Sequence, residues 1–155
     1  MRYFLDCEFN GFDGPLISIA LVPEVEGHGD FYAVLPCHRP QRWVEANVMP
    51  KLGAAAQSRA DVVAGLSAYL AADPNPVLVA DWPEDIAHAA AMLVHKGRRM
   101  VPHVRFDLIN LPGFDTATMS TLPHNALADA RALRREVLTR EALAQTTQGS
   151  GNVAA

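Results

Sequence analysis

The chain has 155 residues, half of them hydrophobic and 19% charged, which suits a single globular domain with a substantial core. A net charge of −4 and a pI near 5.8 argue against a protein that grips long nucleic acid through clustered Lys and Arg, though not against an enzyme that handles only a strand end. No apolar run approaches the roughly 20 residues that cross a bilayer, and an acidic pair interrupts the opening MRYFLDCEFNGF where a signal peptide would stay apolar. The expectation is a cytoplasmic protein with no membrane association. Cys7 and Cys37 form neither a spaced metal pattern nor a disulfide scaffold and read as free thiols.

Residues 1–9 and 14–22 are rich in Ile, Leu, Val and Phe, with Gly11, Asp13, Gly14 and Pro15 between them, and predict a hairpin. Residues 29–36 predict a third strand, entered through the turn-like Gly27-His28-Gly29-Asp30. The period then changes. Arg42–Leu52 predicts a short helix broken at Pro50. Ser58 and Asp61 resemble a capping box that opens a helix with Val62, Val63, Leu66, Tyr69 and Leu70 at helical spacing. Val77–Ala80 reads as a buried strand. Pro83 opens a helix through EDIAHAAAMLVHKG, with Gly97 where a C-terminal cap belongs. A last strand is predicted over 101–110, then a long helix from Pro123 to about Glu141 with Leu127, Ala130, Leu133 and Leu138 toward the core. Residues 1–142 form the expected domain, and 143–155 the expected disordered tail. Strands that alternate with helices after a meander give an α/β fold with a mixed sheet.

Three segments carry candidate chemistry. Asp6 and Glu8 stand two apart on the first strand and project to one face. Two carboxylates in an apolar strand are costly to desolvate, and a divalent cation would resolve that cost; the alternative places both on the solvent face beside an exposed Phe4. Asp81-Trp-Pro-Glu-Asp85 lies at a strand-to-helix junction, where open α/β sheets place ligands. Asp81 suits a helix N-cap, and Asp85 either complements the helix dipole or turns back toward the strand end. In His124-Asn-Ala-Leu-Ala-Asp129, five residues at ~100° each set the two side chains roughly 140° apart. His124 therefore belongs in the loop at the helix start, with Asp129 one turn further in.

In combination these segments resemble the DEDDh 3′–5′ exonucleases of the ribonuclease H-like superfamily. FLDCEFNG matches their first-strand D-x-E, and HNALADA matches their H-x-A-L-x-D-A motif at every specified position. ADWPED aligns with their H-N-x-x-F-D, with Asp85 as the aspartate, Asp81 in place of the asparagine and Glu84 in place of the phenylalanine. If that alignment is shifted, Asp81 is the substitute ligand. The likeness spans about residues 1–141. Within the family it is greatest to the small bacterial exoribonucleases typified by mycobacterial exoribonuclease AS, through Arg2–Phe9, Leu16–Ile19 and Trp43–Leu52.

The resemblance implies a ribonuclease H-like mixed five-stranded sheet flanked by helices. It implies two Mg²⁺ or Mn²⁺ ions held by Asp6, Glu8, Asp85 and Asp129, a pair that in such sites stands about 3.5–4 Å apart. His124 would be the general base on the attacking water. The substrate would be the 3′ end of single-stranded RNA, or of DNA, and the product a nucleoside 5′-monophosphate. Phe9, Asn10 and Gly11 would meet the terminal nucleotide, although Phe9 also suits plain core, and the protein would be a homodimer. The basic stretch His95, Lys96, Arg98 and Arg99 would guide the strand or simply end a solvated helix. Two alternatives stand beside this reading: an exonuclease acting on DNA or very short oligonucleotides, and a non-catalytic nucleic-acid-binding module on the same fold. No G-x-S-x-G elbow or P-loop is present.

Overall fold

The computed structural model describes residues 1–150, and side chains through 147. Five strands form one mixed sheet: β1 (Arg2–Phe9), β2 (Leu16–Pro23), β3 (Phe31–Val34), β4 (Val77–Ala80) and β7 (Arg105–Leu108), in the order β3-β2-β1-β4-β7. The first three form an antiparallel meander. β4 and β7 add in parallel to β1, so β1 and β4 present their carboxyl ends at the same edge. The expected α/β architecture, with a five-stranded mixed sheet flanked by helices, is thus present.

The side-chain period of two divides β1 cleanly. Tyr3, Leu5 and Cys7 join the core beneath α2 (Arg59–Ala71) and α3 (Pro83–Met92), through Val62, Leu66, Leu70, Ala89 and Met92. Phe4 faces the other way, into the core beneath α5 (Ala126–Ser150), with Ala130, Leu133 and Val137. Asp6 and Glu8 share parity with Phe4, which is fully buried, so the arrangement with Phe4 exposed on a solvent face is ruled out. A third small core gathers Val44 of α1 (Arg42–Asn47) with Val48, Leu52, Ile17 and Val34. A bulge between Glu8 and Phe9 shifts the β1–β2 register beside the carboxylates, a common way to re-aim side chains near a site.

The Ser58 cap forms as expected: its hydroxyl accepts the Asp61 N–H at 3.2 Å and donates to the Asp61 carboxylate at 2.6 Å. Pro50 lies in a 3-10 turn, Met49–Lys51, that follows α1. The structure departs from the sequence reading in several places. α3 ends at Met92, and the basic stretch forms a two-stranded hairpin, β5 (Val94–His95) and β6 (Arg98–Arg99). Lys96 and Gly97 both have positive φ, 48° and 72°, so Gly97 serves a tight hairpin turn rather than a helix cap. The last strand covers only Arg105–Leu108, and a one-turn α4 (Thr116–Met119) precedes the long helix. α5 starts at Ala126 and continues to Ser150, through part of the expected tail; residues 151–155 lie outside those described. Both cysteines are free, and among the described residues no helix is long and apolar enough to cross a membrane.

Candidate metal centre

The carboxyl edge of β1 carries the site. Asp6, Glu8 and Asp129 each offer an oxygen, and these oxygens lie within 4.8 Å of one another. β1 contributes two ligands through its alternation, and the start of α5 contributes the third. Asn125 caps α5: its Oδ1 accepts the Ala128 N–H at 3.0 Å, while its Nδ2 donates to the Lys51 carbonyl at 2.8 Å. His124, just before the cap, adopts a left-handed backbone with φ 66°, a costly conformation for a residue with a side chain. In that conformation its N–H donates to Asp129 Oδ2 at 3.0 Å. The motif spacing thus works through the backbone: five residues separate a left-handed His from the carboxylate that accepts its amide.

Two oxygens of the cluster are orphaned. Asp6 Oδ2 and Asp129 Oδ1 are shut off from solvent and have no hydrogen-bond partner. Buried polar atoms are usually paired with protein, water or an ion, and here two such atoms meet in one carboxylate cluster, whereas Ser18 Oγ and Arg134 Nε are orphaned singly. The electrostatics agree. Burial raises Asp6 well above the usual carboxylate range, and the charges of Asp85, Glu8, Asp129 and Asp81 add to the effect. Burial, then the Asp129 charge, pushes Glu8 up to about 8, with Lys51 opposing. Asp129 rises to about 6 through burial, held back by Ser120, the His124 amide and Lys51. The donor set is carboxylate oxygen alone, which fits a hard divalent cation such as Mg²⁺ or Mn²⁺ and not a soft thiolate-seeking metal.

Asp85 lies outside the three-residue cluster but is its electrostatic neighbour. It is buried, in the first turn of α3, and contributes the largest charge effect on Asp6. Burial and then Asp81 raise its own carboxyl to about 8. Asp81 is only half-buried and does not cap α3, whose N-cap is Trp82 with no side-chain bond, so the expected capping role is corrected. Asp81 instead adds negative charge to the same cleft, raised mainly by burial.

His124 sits at the rim. Its ring meets Trp43 edge to face at a centroid distance of 4.9 Å. Burial and the Lys51 charge lower its pKa, which favours the neutral imidazole. Lys51 Nζ donates to the Pro123 carbonyl at 2.8 Å and so holds the loop that presents His124. Trp43 and Lys51 enter the sequence reading only within the Trp43–Leu52 likeness, with no role attached; the fold brings α1 and the 3-10 turn against the start of α5.

The three expected substrate-facing residues fare differently. Phe9 is half-buried and packs on His88 at 5.2 Å between ring centroids. The Asn10 side chain is committed to structure, donating to the Arg39 carbonyl at 2.9 Å and accepting the Gln41 N–H at 2.7 Å. Gly11, at φ 76°, turns the chain and accepts the Gly14 N–H. The turn is tied to α3 by Glu84, which accepts the Asp13 N–H at 2.8 Å and the Trp82 indole N–H at 3.2 Å. A groove of about 730 Å³ between α5 and the β2–β3 loop contains none of these residues; its charges are mostly paired, Arg131 with Asp30 and Arg134 with Glu26.

Fold and site together define an α/β protein with a carboxylate-rich cleft at the shared carboxyl edge of its parallel strands. No family model matches the chain, and no curated protein matches it.

Proposed function

We propose that this protein is a metal-dependent 3′–5′ exoribonuclease of the DEDDh type on a ribonuclease H-like fold, releasing nucleoside 5′-monophosphates from single-stranded 3′ ends. The observation that carries the reading is the Asp6–Glu8–Asp129 cluster, with its two orphaned buried oxygens beside a histidine held at the cleft rim. The order β3-β2-β1-β4-β7 in a helix-flanked sheet is compatible with that fold.

Asp6, Glu8 and Asp129 would hold two Mg²⁺ or Mn²⁺ ions, with Asp85 completing the set from α3. Bound there, the ions would supply a water of lowered pKa and stabilise the charge that develops on the phosphodiester. The chain's own residues do the rest. The four carboxylates neutralise and fix the cations in a cleft largely closed to solvent. The neutral His124 imidazole takes the proton from the attacking water, as its lowered pKa allows. Trp43 and Lys51 restrain the imidazole and its loop.

The test uses 5′-labelled single-stranded RNA and its DNA counterpart with Mn²⁺ or Mg²⁺, beside His124→Ala and Asp129→Ala. The expected result is a ladder that shortens from the 3′ end, abolished by EDTA and by either substitution, with RNA the faster substrate. Intact RNA and DNA in the wild-type lanes, with Mn²⁺ bound normally, would overturn the exonuclease reading in favour of a binding module.

A further inference from the structure

β2 is a buried run of Leu, Ile, Ala, Val and Pro with a single polar member, Ser18. Ser18 is wholly buried, and its Oγ has no hydrogen-bond partner. A hydroxyl left this way lowers stability, so alanine would serve the core better here. In the β1–β2 register Ser18 stands directly opposite Glu8. Residues so paired project to the same face, with Cβ atoms about 4.5–5.5 Å apart. The pair is the last regular one before the register shifts between Glu8 and Phe9. The other β2 residue facing the cluster is Ala20, opposite Asp6, and its side chain has nothing to donate. Ser18 is therefore the one hydroxyl that β2 brings to the ligand face of β1.

Tyr32 reaches the same face from β3, where it pairs with Ala20. Its phenol feels both neighbours: burial raises its pKa, Ser18 opposes, and the Glu8 charge adds to the rise. The hydrogen bonds of Tyr32 are committed elsewhere. It donates to the Leu52 carbonyl at 2.8 Å and accepts from Asn125 Nδ2 at 3.3 Å. Among the described residues the Glu8 carboxylate accepts no hydrogen bond. An unclaimed donor and an unclaimed acceptor thus face each other across one rung of the sheet.

Resting on the metal-centre reading, we propose that Ser18 is a positioning residue for Glu8. In the metal-loaded protein the Ser18 hydroxyl donates to the Glu8 carboxylate and fixes the orientation in which Glu8 meets the cation. Carboxylates that hold a cation are themselves hydrogen-bonded as a rule, and losing such a partner typically weakens metal binding by about 10–100-fold. Ser18 accordingly lowers the stability of the metal-free fold and raises the affinity of the site.

The experiment measures Mn²⁺ affinity by titration calorimetry, and melting in EDTA, for wild type, Ser18→Ala and Ser18→Thr. Ser18→Ala should bind Mn²⁺ about tenfold more weakly than wild type. It should nevertheless melt about 2–4 °C higher in EDTA, because the orphaned hydroxyl is gone. Ser18→Thr keeps the hydroxyl on a side chain suited to a strand and should recover most of the affinity. A residue that served only the core would move the melting temperature and leave the affinity alone. Ser18→Ala that binds Mn²⁺ as wild type does overturns the proposal and leaves the metal centre standing. Ser18→Thr as weak as Ser18→Ala overturns it as well, since packing and not the hydroxyl would then set the affinity. A fall in the metal-free melting temperature of Ser18→Ala would mean that the hydroxyl already serves the fold, and the proposal fails. Wild type that binds no Mn²⁺ removes the metal centre and this role with it.

Discussion

Lys51 occupies a 3-10 turn and is marked in the sequence only by the Trp43–Leu52 likeness, which assigns it no role, yet its charge is felt at Glu8, Asp129 and His124. Its ammonium also fixes the Pro123 carbonyl, and the Asn125 amide fixes the Lys51 carbonyl in return. The turn and the His124 loop are thus stapled in both directions. Lys51→Met removes one staple and the cation together. Turnover should fall by on the order of tenfold, part of the roughly 10²–10⁴-fold that a general base supplies. Lys51 lowers the His124 pKa, so without it that pKa rises, and the acid limb of the kcat/KM profile moves to higher pH. Lys51→Arg, which keeps the charge, should leave the limb in place. A Lys51→Met profile that drops in height with no movement of the limb would confine Lys51 to scaffolding. At this scale the sequence is legible where chemistry repeats a local spacing: Asp6 with Glu8, and His124 with Asp129. The contacts that Lys51, Trp43 and the Asn10 side chain make were not legible, because their partners lie 29 or more residues away and only tertiary structure brings them close.

Elements whose period is long enough to measure were the readable ones. β1 sorts Tyr3, Leu5 and Cys7 from Phe4, Asp6 and Glu8, and that alternation alone puts both carboxylates on the α5 side. α4 was not legible, since four residues make one turn and show no period. The β5–β6 hairpin was misread as helix because Lys96 is an unusual residue for a positive-φ turn position, where Asn or Asp would have announced it. α5 holds the start of its own helix against the sheet through Ala126, Ala130, Leu133 and Val137, spaced on one face. Leu133 is 1% exposed and packs in the core with Phe4 and Val79. Leu133→Ala should therefore cost about 2–5 kcal/mol, read from the urea midpoint at unchanged m-value. A cost under ~1 kcal/mol would mean that α5 is not docked as described.

The molecule as a whole is organised to bring like charges together, and pH exposes what that costs. Folding raises Glu8 from 4.5 to about 8, Asp85 from 3.8 to about 8 and Asp129 from 3.8 to about 6, and raises Asp6 as well. Between the unfolded and folded values the native state holds protons that the unfolded chain has released. Stability from these groups is therefore complete below about pH 4 and lost progressively as pH climbs toward 8. Glu24, Asp73 and Glu141 are lowered and spend their opposing effect below that window, while His88 and His124, lowered from 6.5, oppose the trend within it, two groups against the four raised carboxyls. Metal-free protein should accordingly melt several degrees lower (~5 °C) at pH 8 than at pH 5.5. Mn²⁺ should reverse the trend. It binds deprotonated carboxylates and only the folded arrangement gathers them, so its stabilisation should be larger at pH 8 than at pH 5.5. Asp6→Asn separates the two effects: with EDTA it should melt above wild type at pH 8, having lost a repelling charge, while its gain from Mn²⁺ shrinks. Thermal melts of both proteins at the two pH values, with EDTA or Mn²⁺, give all eight numbers. If metal-free wild type instead gains stability from pH 5.5 to 8, the carboxylates do not share a desolvated cleft, and the basis for the metal site goes with them.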